Sequence, residues 1–172
     1  AELSNVKNVE IIEIGSATNT NQATIGLSDT VLANAGGTIT ILGNSATEAN
    51  GDHKIDGAAV GTGSIRFIPK GDTTGKNDTF IGGAGDDTLQ IGFSTATDPG
   101  ATGIAAELEA GDVFTGNGGT DVLQINNAGN ASNAGSGGAK LIVDFDAVTE
   151  VEKAVVADAD GATTAADAIL FA

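Results

Sequence analysis

The chain has 172 residues, 7 basic against 23 acidic side chains (a formal net charge of -16), 26 glycines, 2 prolines and no cysteine. This charge excludes partners that rely on basic contacts, nucleic acid and anionic membrane surfaces alike, and it predicts an attraction for divalent cations. Without cysteine there are no disulfides, thiolate metal sites or cysteine nucleophiles, and no run approaches the roughly 18 apolar residues of a membrane span.

Hydrophobic residues make up 40% of the chain but aromatics only 3%, so any core is filled by Val, Ile, Leu and Ala. Such a core suits thin, regular layers of stacked strands. In chain order, short β-branched runs bounded by Gly, Asn, Asp or Thr predict strands at 9–14, 23–27, 38–42, 54–60, 65–68, 79–81, 88–91, 113–115, 122–125, 141–145 and 151–156. Short connecting helices are expected at 28–35, 102–110 and 163–168, each opened by Ser or Thr. The fold class that follows is all-β: a sandwich, roll or solenoid. The missing initiator Met and the absence of a signal-peptide core predict a mature product or an excised fragment. A weak long repeat relates Asn8-Val9-Glu10 to Glu150-Val151-Glu152, 142 positions later.

A second repetition is shorter and chemically richer. Gly82-Gly83-Ala84-Gly85-Asp86-Asp87-Thr88-Leu89-Gln90 carries Gly at places one, two and four, Asp at six and an aliphatic at eight. That is the nonapeptide of a calcium-binding parallel β-roll. Glycines let six residues curl tightly enough to turn carbonyls inward, the Asp adds a carboxylate, and calcium prefers such hard oxygens. Gly116-Asn117-Gly118-Gly119-Thr120-Asp121-Val122-Leu123-Gln124 departs from the pattern only at Asn117. Nine residues before each copy, Asp78 with Phe80 and Asp112 with Phe114 keep the acid and the apolar residue on eroded turns.

These motifs resemble the RTX, or repeats-in-toxin, proteins that bacteria export by type I secretion. The resemblance is specific over 73–91 and 110–125. It is looser over 8–14, 27–43 and 141–158, which look like the β segments of surface-layer and adhesin-type members. It implies a parallel β-roll, with each calcium lying between turns two repeats apart on one side. The implied ligands are carbonyls of Gly82, Ala84, Asn117 and Gly119 with carboxylates of Asp87 and Asp121, and Asp86 adjoins them. Asp78 and Asp112 would face each other on the opposite side. An uninterrupted roll would place the two strong turns two nonapeptides apart, but Asp121 follows Asp87 by nearly four. The expected organisation is therefore a β-rich module at 1–72, an interrupted roll at 73–127 with an insertion at 93–109, and the start of a second module at 128–172.

Other motifs read as ordinary structure. Asp158, Asp160, Gly161 and Asp167 match part of a helix–loop–helix calcium loop, but Val156 stands where its first ligand belongs. The single histidine, His53, follows an Asn-Gly turn and is expected at the surface, although it occupies the Asp place of a degenerate nonapeptide. No catalytic constellation is present, so the chain is not expected to be an enzyme. The expected function is a calcium-binding structural module of a secreted, cell-surface protein: a surface layer, filament or adhesin. The expected partners are calcium and either further copies of the chain or neighbouring modules of the same protein. The alternatives are a non-catalytic segment of a secreted protease or lipase, and a calcium-dependent module for carbohydrate or host surfaces. The apolar end at Ala168-Ile169-Leu170-Phe171-Ala172 reads as a cut strand, a strand donated to a neighbour, or part of an export signal.

Overall fold

A computed structural model describes residues 3, 5–14, 23–43, 53–69, 77–93, 108, 111–127, 141–157 and 169–171. Two parallel sheets dominate. The first holds β1 (Ile11–Glu13), β3 (Thr38–Leu42), β5 (Ser64–Ile68), β7 (Thr88–Phe93), β9 (Val122–Asn127) and β12 (Lys153–Ala157), hydrogen-bonded in that order. The second holds β2 (Ala23–Gly26), β4 (His53–Asp56), β6 (Thr79–Ile81), β8 (Val113–Thr115) and β11 (Val148–Thr149). The chain alternates between the sheets, and each return adds one coil beside the last. This is a parallel, solenoid-like all-β architecture with a single short helix, α1 (Asp29–Asn34), among the described residues.

Period-two patterning explains the two layers. Ile39 and Ile41 of β3 are buried between exposed or half-buried neighbours, as are Ile65 and Phe67 of β5. A strand turns alternate side chains to one face, so the buried set points between the sheets. In register, Ile41, Phe67, Leu89 and Leu123 form one internal column from the first sheet. The second sheet supplies Ile25, Ile55, Phe80, Phe114 and Val148. Phe67, Phe80 and Phe114 use half the chain's aromatics; their successive ring centroids are 5.8 and 5.2 Å apart, and none is more than 1% exposed. Three rings suffice because the roll is only two side chains thick.

The coils are unequal. Ile11 aligns with Thr40, Thr38 with Ser64, Arg66 with Thr88, Thr88 with Val122 and Val122 with Lys153. Along one such line the sequence separation is 22 from Ile65 to Asp87, 34 from Asp87 to Asp121 and 31 from Asp121 to Glu152. Every coil is longer than two nonapeptides, yet β7 and β9 pair directly across the longest step. The surplus there falls at 94–107, outside the described residues, as do the helices expected at 102–110 (Leu108 apart) and 163–168.

Some boundaries differ from those expected. The strand expected at 54–60 begins at His53 and stops at Asp56, because Gly57 starts the turn back to the first sheet. The strand expected at 141–145 ends at Val143; Asp144 then caps a single 3-10 turn by accepting from the Asp146 N–H at 2.9 Å. The terminal apolar residues form β13 (Ile169–Phe171), which pairs in parallel with β10 (Leu141–Val143) of the same chain.

Candidate metal centre

One edge of the roll carries every passage from the second sheet to the first. The turns at 57–63, 82–87, 116–121 and 150–152 stack there, and the strand ladder continues into them. Gly57 N–H donates to Ile81 O at 2.8 Å, Gly82 N–H to Thr115 O at 2.8 Å, and Gly116 N–H to Thr149 O at 3.0 Å. Deeper in the turns, Ala84 N–H donates to Val60 O at 2.8 Å and Gly118 N–H to Gly83 O at 3.1 Å. The packing is tight enough to demand glycine. Gly119 has φ 116°, and a Cβ there would fall 2.6 Å from the Gly85 carbonyl carbon.

The strand registers line up Glu10, Ile39, Ile65, Asp87, Asp121 and Glu152 in one column along this edge. Between the ends the position points inward: Ile39 and Ile65 are core residues and Asp87 and Asp121 are both 0% exposed, while Glu10 and Glu152 at the two ends are exposed. A carboxylate in such a place must be bonded or charge-compensated. Hydrogen bonding supplies part of this, always in the same sense. Ile65 N–H donates to Asp87 Oδ1 at 2.6 Å, Asp87 N–H to Asp121 Oδ1 at 2.7 Å, and Asp121 N–H to Glu152 Oε2 at 2.7 Å. Each acid accepts from the preceding coil.

The second oxygens differ. Asp87 Oδ2 accepts from the Gly83 N–H of its own turn at 2.6 Å. In the next turn Asn117 replaces that glycine and sits at φ 69°, with its side-chain amide donating to Gly82 O at 2.7 Å. Asp121 Oδ2 is consequently buried with no hydrogen-bond partner, the one such side-chain atom among the described residues. It lies where a Cβ on Gly116 would collide with it and with the Glu150 carbonyl oxygen, so these two oxygens converge on one spot. Glu150 holds φ 54°, a left-handed conformation uncommon outside glycine and asparagine. One coil earlier, Asp87 Oδ2 and Gly116 O converge on the matching point beside Gly82.

The electrostatics follow from this crowding. Burial pushes the Asp87 carboxyl up to about 6 from 3.8, against the lowering effect of the Ile65 and Gly83 N–H groups, while Asp121 and Asp86 push the same way as burial. Burial also raises Asp121; the Asp87 N–H opposes it, and Glu152, Asp86 and Glu150 reinforce it. The arrangement is an acidic, oxygen-lined edge short of positive charge.

Comparison with protein-family models, curated proteins and solved structures gives no match. The chemistry of this edge therefore rests on its own geometry. Among the described residues no three His, Cys, Asp or Glu side chains gather around one point, so a cation here must draw on backbone carbonyls as well as carboxylates. Of the residues singled out by sequence, Asp87 and Asp121 share this stack with Gly82, Ala84, Asn117 and Gly119. The Gly82 carbonyl already accepts the Asn117 amide, and Asp86 accepts from Thr120 N–H at 2.8 Å.

Asp78 and Asp112 lie together at the opposite edge, where Asp78 N–H donates to Asp112 Oδ1 at 2.7 Å. His53 completes that ladder and corrects the expectation of a surface histidine. It is 8% exposed, its N–H donates to Asp78 Oδ1 at 2.7 Å, and its Nδ1 lies 3.2 Å from the same oxygen. The degenerate nonapeptide around His53 signalled this place. Glu152 and the Gly116 and Glu150 carbonyls were missed as well; the only sequence signal for the two glutamates was the long repeat. The loop at 158–167 lies outside the described residues.

Proposed function

We propose that this chain is a calcium-binding structural module of a secreted, cell-surface protein, in which the cation clamps adjacent coils of the roll. The observation that carries the reading is the orphaned, fully buried Asp121 Oδ2 facing the Glu150 carbonyl. An unpaired carboxylate oxygen in a water-poor place is costly, and a hard cation with several oxygen ligands removes that cost. The groups suited to hold it are the Asp121 carboxylate and the Glu150 carbonyl, with the Asp87 carboxylate and the Gly116 carbonyl at the matching point one coil earlier. Transition metals that favour nitrogen or sulfur find neither here. Bound calcium would neutralise part of the -16 charge and tie adjacent coils together, coupling metal binding to folding.

Titration calorimetry with calcium tests this. Wild type binds, and Asp87→Ala and Asp121→Ala each weaken binding. Together they lose less than the sum of the single losses, because both serve one edge. Unchanged binding in Asp121→Ala would remove the basis of the proposal.

A further inference from the structure

The two ends of the roll carry the same local structure. Val6 N–H donates to Leu3 O at 2.9 Å, and at the equivalent place near the other end Val148 N–H donates to Phe145 O. Asn8 and Glu150, the next equivalent pair, have φ 57° and 54°. Val then Glu follows in both, and Glu10 and Glu152 stand in the same register column, one at each end. The segment 147–155 therefore repeats, in shape as well as sequence, the segment 5–13 that opens the first coil.

Among the described residues β1 pairs only with β3, and β12 only with β9. Five large hydrophobic residues are notably exposed among the described residues, and four lie in these terminal coils: Val6 41%, Val9 37% and Ile11 58% at one end, Phe145 39% at the other. Val113, at 41%, is the fifth and lies in β8, so the exposure concentrates at the ends, which marks a contact.

We infer that copies of this chain associate head to tail, β12 of one copy adding in parallel to β1 of the next. The backbone phase permits it. Lys153 N–H donates inward to Asp121 O, so Glu152 and Ala154 turn their peptide groups outward. Glu10 O accepts from Thr40 N–H and Ile14 N–H donates to Leu42 O, so Ile11 and Glu13 turn theirs outward from β1. When Glu10 of a second copy takes the place after Glu152, Ile11 N–H meets Glu152 O, and Ala154 N–H meets Ile11 O. The carboxylate ladder continues in the same sense, with Glu152 N–H donating to the Glu10 carboxylate. On the outer face Lys153 then lies beside Ile11 and diagonal to Glu13, an ion pair across the junction. Such a contact joins unlike surfaces, so it does not close on itself and builds chains. The inference rests on the strand edges, independently of the calcium proposal.

The test is sedimentation velocity of the full chain at rising concentration, with calcium and again with chelator. Wild type forms chains that lengthen with concentration. Ile11→Pro and Ala154→Pro each remove an outward N–H that no described contact within the chain uses, and each alone stays monomeric. Mixed, they form dimers and nothing longer, since each retains one working edge. Ile11→Lys, which sets two lysines side by side, serves if a proline variant unfolds, and it weakens association at least ten-fold. Monomeric wild type under both conditions, or folded edge variants that associate as wild type does, overturns the inference. A failed calcium proposal instead leaves association intact and melting indifferent to chelator.

Discussion

Replacing Asp121 by asparagine exchanges the orphaned Oδ2 for an amide nitrogen and leaves the Oδ1 that accepts from Asp87 N–H. Without calcium the wild-type oxygen is buried and unpartnered, beside Asp87, Glu152 and the Glu150 carbonyl. The amide removes the charge and can donate to that carbonyl. An unsatisfied buried polar group costs about 1–3 kcal/mol, so the variant should be more stable than wild type by that amount. For a chain of this size each kcal/mol moves the melting temperature by roughly 2–4 °C, which places the gain at roughly 2–12 °C. At a thousand-fold excess of calcium over Kd the order inverts: wild type gains about 4.1 kcal/mol, and the variant loses most of that gain. Circular-dichroism melts of both proteins, with chelator and with calcium, read all four values. An asparagine variant less stable than wild type in chelator, or equally responsive to calcium, would refute the reasoning.

Acidity provides a second perturbation. Because folding raises Asp87 to about 6, the unfolded chain releases this proton first as pH rises from 3.8. Its contribution to calcium-free stability is therefore full below pH 3.8 and is lost as pH rises through 6, a fall of at most about 3 kcal/mol. Asp87→Asn should lack that fall in denaturant titrations across the range, and a parallel profile would contradict the assignment. Phe80→Ala, at the centre of the ring stack, should cost about 3–5 kcal/mol with calcium and with chelator alike. A loss well below about 1 kcal/mol in thermal melts would mean the interior is not packed around it. Asp78→Ala removes the acceptor of His53 N–H and should cost about 1–3 kcal/mol while leaving the calorimetric calcium response unchanged. Loss of that response would move the cation to the other edge.

Much of the fold was legible because each strand is a short β-branched run punctuated by glycine or a polar turn. The alternation in Thr38–Leu42 and Ser64–Ile68 already marked which side chains face inward. The pairing was harder to read. Coils of unequal length obscure a period that the nonapeptides display only twice, so the shared sheets of β1, β3 and β5 with β7 and β9 carry little sequence signal. The same holds for the acidic column. Asp87 and Asp121 announce themselves through their glycines, but Glu152 follows a turn with no glycine, and Ile39 and Ile65 hold the same place with apolar side chains. Only the register shows that each strand of the first sheet brings one residue to that line. His53 looked exposed because it follows Asn50-Gly51-Asp52, yet its alternation with Ile55 puts it on the inner face of β4.

The most direct test of the proposed calcium edge is a crystal grown with a lanthanide that substitutes for calcium, located by its anomalous scattering. The predicted peak lies within about 2.3–2.6 Å of Asp121 Oδ2, the distance calcium keeps from its oxygen ligands, and next to the Glu150 carbonyl. A map with no peak at that edge, or with its ion bound only at Asp78 and Asp112, would contradict the account.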